Sequence, residues 1–207
     1  GINFAGGVTL IWPQKKLEST VTNEAYESSS KTYTPLHLTS AYRLSEDVSF
    51  ALTVNNSFGL GSDFPDDTIF KYTTTESKLT TWDINPSVAY KLFDKMVIAV
   101  GFRAIYADVS LKQMIPLQTF GLPDGGQTFK ATGTGYGWNV GATYSPIDVL
   151  AFGASYRSPV DIDLNGDVSF DLTQNNTPLL TTIFPTTAAV SGINLPGQLF
   201  LGIAYKP

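Results

Sequence analysis

The residues best suited to chemistry in this chain are few, and none completes a reaction centre. Asp161-x-Asp163-x-Asn165-Gly166 spaces its oxygens like the opening of a calcium-binding EF-hand loop. Such a loop needs flanking helices and a bidentate glutamate at its twelfth position, where this chain has Leu172. Gly133, Gly135 and Gly137 alternate as in a nucleotide-binding loop, but no helix opens behind them. His37 is the only histidine, and no serine nucleophile motif accompanies it for lipid hydrolysis. Asp66 and Asp67 follow Pro65 in a solvated loop turn. The chain has no cysteine, so neither a disulfide framework nor a thiolate metal site is open to it. No enzyme is expected, and no cofactor or metal. Three cations on strand faces remain: Arg103, Lys112 and Arg157. Asp161 and Asp163 share a face with Arg157, within range of cross-strand or diagonal pairing.

The elements that must position these groups are strands. From Gly135 to Asp171, Tyr136, Trp138, Val140, Ala142 and Tyr144 alternate with Gly137, Asn139, Gly141, Thr143 and Ser145. After Pro146-Ile147-Asp148 the pattern restarts, with Leu150, Phe152, Ala154, Tyr156, Val160, Ile162 and Leu164 on one face. A period of two sends successive side chains to opposite faces, so this stretch predicts a hairpin with one oily and one polar face. Aromatics stand near the strand ends, and the polar face suits a wet lumen better than a packed core.

The same pattern runs through the chain. Strands are predicted at Ile2–Trp12, Thr34–Leu44, Val48–Ser62, about Trp82–Leu92 and Met96–Gln113, followed by the hairpin and a last strand, Gln198–Tyr205. Three-residue turns at Ser45-Glu46-Asp47, Phe93-Asp94-Lys95 and Pro146-Ile147-Asp148 alternate with long polar loops, which is how outer-membrane barrels are connected. Tyr42, Tyr90, Tyr144 and Tyr205 recur at the ends of alternate strands, the register of an interfacial girdle.

Composition agrees. The 207 residues are 43% hydrophobic and 13% aromatic but only 15% charged, a profile that fits a wall apolar outside and polar inside. A net charge of -5 argues against nucleic acid as a partner. No apolar run reaches transmembrane-helix length, and the start GINFAGG lacks the build of a signal peptide.

GYGWNVGATYS, YRSPVDIDLNGD, NNSFGLGSDFPDD and the closing LPGQLFLGIAY together resemble the FadL/TodX family of outer-membrane transporters for fatty acids and other hydrophobic compounds. The resemblance extends from about Thr34 to Tyr205 and implies a fourteen-stranded antiparallel transmembrane β-barrel with an N-terminal hatch and a kinked third strand. Residues 1–207 are then expected to form a single, partial β-barrel domain of about eight strands, with the hatch and the C-terminal strands absent. A complete eight-stranded barrel stays open on strand number alone.

The expected function is passive uptake of long-chain fatty acids or related hydrophobic compounds across the outer membrane of a Gram-negative bacterium. Ser57, Gly59 and Gly61 resemble the family's kink, which would open the wall sideways. A sideways exit spares an acyl chain re-exposure to water, roughly 0.8 kcal/mol per CH₂. Phe58 and Leu60 would form the apolar part of the substrate site, with Arg103 and Lys112 as anchors for a carboxylate head. Outer-membrane lipid, lipopolysaccharide and the substrate are the expected partners, and the protein is expected to be monomeric. A general pore or structural barrel without ligand preference is the alternative.

Overall fold

The computed structural model describes residues 1–20, 23–29, 31–57, 59–172 and 178–205. It is almost entirely antiparallel β-structure. A continuous path of eight strands makes the wall: β1 (Ile2–Val8), β4 (Leu36–Arg43), β5 (Val48–Asn55), β7 (Glu76–Phe93), β8 (Met96–Ile115), β9 (Gly125–Ile147), β10 (Leu150–Arg157) and β13 (Gln198–Tyr205). Two short strands, β2 (Lys16–Glu18) and β3 (Ala25–Glu27), pair with each other inside the first long loop. β6 (Gly59–Asp63) pairs with the upper half of β7, and β11 (Val160–Asp171) pairs with β12 (Thr187–Leu195) and the upper half of β9. One short helix, α1 (Pro178–Ile183), precedes β12.

The registers sort the side chains into two faces across the whole wall. Ile2, Tyr42, Phe50, Val88, Val100, Val140, Tyr156 and Leu199 stand opposite one another in a single row through all eight strands. The next row, offset by one residue and so on the other face, is Asn3, Ala41, Ala51, Ser87, Gly101, Asn139, Arg157 and Gln198. One row is wholly apolar and its neighbour almost wholly small or polar. That is the signature of a wall with hydrocarbon on one side and water on the other. Trp138 and Tyr144 on the apolar face remain about half exposed instead of packing into a protein core.

Pro86 sits in the middle of β7, where its missing N–H would break the ladder. The Asn85 side chain repairs it, donating from Nδ2 to the Phe102 carbonyl at 2.7 Å and to Asn139 Oδ1 at 2.6 Å. The second bond passes over Gly101, where a Cβ would lie 2.5 Å from the Asn139 oxygen. A glycine is needed there because another side chain already fills the space.

Several elements differ from the sequence-based expectation. β1 ends at Val8 rather than Trp12. β7 and β9 start well before Trp82 and Gly135, because their upper ends rise above the apolar band and lose the alternation that marks it. The stretch before Pro196, expected as a loop, contains β12. The seventh strand is two strands. β10 leaves the wall at Ser158-Pro159, and β11 crosses the polar face of β9 before rejoining it at Asn165–Thr132. Val160, Ile162 and Leu164 therefore pack on Ile105, Ala107, Val109 and Ala131 instead of facing lipid. Gly133, Gly135 and Gly137 make this crossing possible. A Cβ on Gly135 would stand 2.5 Å from the Asp161 carbonyl, and one on Gly137 would stand 2.6 Å from Val160.

On the long-loop side, Leu117, Leu172 and Leu180 form a second small core. Beside it Asp124 gathers two loops, accepting from Lys71 Nζ at 2.8 Å, Tyr72 Oη at 2.8 Å and Gln118 Nε2 at 3.2 Å. The Lys71 hydrogen bond holds the Asp124 carboxyl below the usual carboxylate range and the ammonium above its own.

Candidate functional site: a strand break above a buried ion pair

The third strand of the wall stops at Asn55 and resumes as β6 at Gly59. Asn55 is opposite Asp83, and Gly59 is opposite Thr80, so four steps along the broken strand face three along β7. One surplus residue in an antiparallel ladder is a bulge, and it bends the strand. Asn56 bridges the interruption on both sides. Its backbone N–H donates to the Leu36 carbonyl at 3.2 Å, its Oδ1 accepts from the Leu36 N–H at 3.0 Å, and its Nδ2 donates to the Thr81 carbonyl at 2.8 Å. β6 has no second strand partner among the described residues. Lys15 Nζ caps the Gly61 carbonyl at 2.6 Å, and the Ser29 N–H caps that of Asp63 at 2.7 Å.

The kink residues are differently constrained. Among the described residues a Cβ on Gly59 would meet only the Leu79 carbonyl, at 3.7 Å, whereas one on Gly61 would drive into the Tyr33 ring. Gly61 is small because Tyr33 lies on it; Gly59 has room. Ser57 lies on the polar side, its hydroxyl 2.6 Å from Asn55 Oδ1 and 2.8 Å from Asp83 Oδ2. Phe58 and the Leu60 side chain lie outside the described residues, although the Leu60 backbone pairs with Leu79.

Beneath the break is a buried pair. Arg103 Nε and Nη2 donate to Asp83 Oδ2 at 3.0 and 2.6 Å, and both residues are only 2% exposed. Arg103 Nη1 donates to the Ser158 carbonyl at 3.3 Å. Ser158 is where β10 leaves the wall. It is bonded twice to Trp138, donating from its N–H at 2.9 Å and accepting at Oγ from the Trp138 N–H at 2.9 Å. The pair thus joins the interruption of the third strand, through Ser57, to that of the seventh, through Ser158. Asp83 was not singled out from the sequence. It is opposite Ile105, two residues from Arg103, a diagonal neighbour that counting back from the Phe93-Asp94-Lys95 turn would have found.

The remaining expected site residues are dispersed. Lys112 is at the rim, 2.5 Å from Glu76, in a network that includes Lys31 and Asp63. The Asp63 hydrogen bond raises the Lys31 pKa above the usual ammonium range. Arg157 does not pair with Asp161 or Asp163. The inward turn at Ser158-Pro159 carries those carboxylates away, and Asp161 accepts from Asn194 instead. His37 lies across Gly7, whose absent side chain makes room for the ring. The described residues contain no group of three or more candidate metal ligands.

Comparison with known proteins gives a consistent picture. The family described as outer membrane protein transport protein (OMPP1/FadL/TodX) matches residues 1–206. The long-chain fatty acid transport protein of Escherichia coli K12 is 26% identical over 189 residues, covering 77% of this chain and 41% of that protein. The 47 kDa outer membrane protein of Pasteurella multocida is 27% identical over 210 residues, covering 94% and 48%. The chain therefore spans less than half the length of these curated relatives. Among solved structures, a Pseudomonas aeruginosa FadL homologue superposes with a TM-score of 0.74 at 11% identity, covering 99% of this chain and 56% of that one. The Pseudomonas putida toluene transporter TodX gives 0.66 at 17%, covering 99% and 57%. At such identities the superpositions show the fold. The wall, its two faces and the family match over residues 1–206 lead to one statement: this chain belongs to the OMPP1/FadL/TodX family of outer membrane transport proteins and forms part of an outer-membrane β-barrel, not an enzyme.

Proposed function

We propose that the full-length protein is a passive channel for long-chain fatty acids or similar hydrophobic compounds, which leave sideways into the membrane through the break between β5 and β6. The observation that carries this reading is the one-residue surplus between Asn55 and Gly59. It faces Thr81 and Trp82, at the upper edge of the apolar face, and is braced from behind by the Asp83–Arg103 pair. On this reading the buried network keeps the passage persistent rather than fluctuating. The named fatty acid transport relative and the toluene transporter of like fold support a hydrophobic substrate. Phe58 and Leu60 would line the passage, and Lys112 at the rim would meet the head group first. Outer-membrane lipid and lipopolysaccharide would surround the apolar face of a monomer.

Register supplies the test. Deleting Ser57 from the full-length protein removes the surplus residue, so β5 and β6 join as one in-register strand against β7. Uptake of a labelled long-chain fatty acid, in cells where this is the only such channel, should fall at least tenfold with the barrel still assembled. Unchanged uptake would place the exit elsewhere.

A further inference from the structure

We infer that Arg157, seated against the ring of Phe200, recognises the anionic head of an amphiphilic substrate, an assignment that rests on the transport reading above. Arg157 is the one charged residue in the polar row of eight that crosses the wall. It is half-buried, and it has no hydrogen bond or ion pair among the described residues. Asp83 holds Arg103, Asp161 is bonded to Asn194, and Asp163 is carried away from Arg157 with β11 and forms no ion pair with it. Arg103, Asp83 and Arg157 together carry one net positive charge on the polar face, with Arg157 next to Ser158, where the seventh strand leaves the wall.

A guanidinium does not escape this situation by losing its proton. Partial burial without a counter-ion is unfavourable, and a carboxylate that binds both arms of the fork relieves it. Phe200 adds the second half of the site. It lies opposite Ser155, so its side chain is on the same polar face, and its ring centroid is 5.5 Å from the Arg157 guanidinium carbon. Phe200 is about half exposed, which leaves ring surface for the first methylenes of an acyl chain. A cation beside an open apolar surface fits the head of a fatty acid; a neutral hydrocarbon would use only the ring. Arg103, whose donors are already engaged, is left as a positioning residue for the two strand breaks.

The test uses the full-length protein in detergent and two ligands of equal chain length, a long-chain fatty acid and its methyl ester. Wild type should bind the acid at least tenfold more tightly than the ester. Arg157→Gln should remove that preference by weakening acid binding far more than ester binding, and Arg157→Lys, which keeps the charge but not the fork, should restore part of it. Acid binding undiminished in Arg157→Gln would overturn the assignment, as would equal loss of both ligands. If Arg157→Gln fails to fold, Arg157→Lys decides alone: it must weaken acid binding more than ester binding, and equal weakening overturns the assignment. A wild type that binds neither ligand saturably would instead overturn the transport reading on which the assignment stands.

Discussion

Arg103→Met in the full-length barrel should cost about 3–5 kcal/mol of stability, because it strands a buried carboxylate without its partner. Asp83 is 2% exposed and its Oδ1 has no hydrogen-bond partner among the described residues, so the Arg103 donors to Oδ2 carry its compensation almost alone. The loss also frees the Ser158 carbonyl and leaves Ser57 against a poorly solvated acid. Removing both charges together, as Arg103→Met with Asp83→Leu, should recover a large part of the stability, since no buried charge is then left unpaired. Urea unfolding followed by loss of heat-modifiable migration measures both variants. An Arg103→Met barrel as stable as wild type would mean that the pair is hydrated and does not brace the two strand breaks.

Gly135→Val should be nearly as damaging. Its new side chain meets the Asp161 carbonyl and the Val160 and Ile162 side chains, all belonging to β11 where it crosses β9. Overpacking of this kind costs about 1–3 kcal/mol. Lifting β11 would also expose Val160 and Ile162, each about 1.5–3 kcal/mol of burial. The expected sum is a loss of at least about 4 kcal/mol in the same unfolding assay. Gly153→Ala is the matched control: its Cβ meets only Thr143 Cγ2, at 4.0 Å, so stability should change by about 0.5 kcal/mol or less. Similar stabilities for the two variants would contradict the crossing.

The wall was legible in the sequence because lipid enforces a strict period of two, and each residue of a strand such as Val97–Phe102 or Asn139–Tyr144 reports its own face. The eight wall strands and their short turns follow from that. Where lipid no longer acts, the signal fades. Glu76, Ser77 and Lys78 read as loop because the upper end of β7 projects beyond the apolar band. Val160, Ile162 and Leu164 kept the alternation of Phe152 and Tyr156, yet their apolar side meets β8 and β9 rather than lipid. Periodicity cannot tell these two apolar environments apart. Pro159 was the available warning, since proline inside a strand marks an edge or a bulge. At the site, the glycine-rich kink and the lumen-facing Arg103 could be read from sequence. The Asp83 partner could not be read from residue types alone, because pairing across strands depends on register, which a slip of one residue would reverse.

A membrane wall requires that the Tyr42–Val140 row faces lipid while the Ala41–Asn139 row faces water. This stretch has no cysteine of its own, so single cysteines can be introduced for spin labels in the full-length protein in bilayers. Labels at Phe50, Val88, Val100 and Val140 should be relaxed strongly by oxygen and weakly by a water-soluble nickel chelate. Labels at Ala51, Ser87 and Asn139 should show the reverse, so accessibility alternates with a period of two along each strand and holds its phase from strand to strand. Equal accessibility on the two rows, or nickel-accessible labels at Val88 and Val140, would contradict a membrane wall and the transport reading with it.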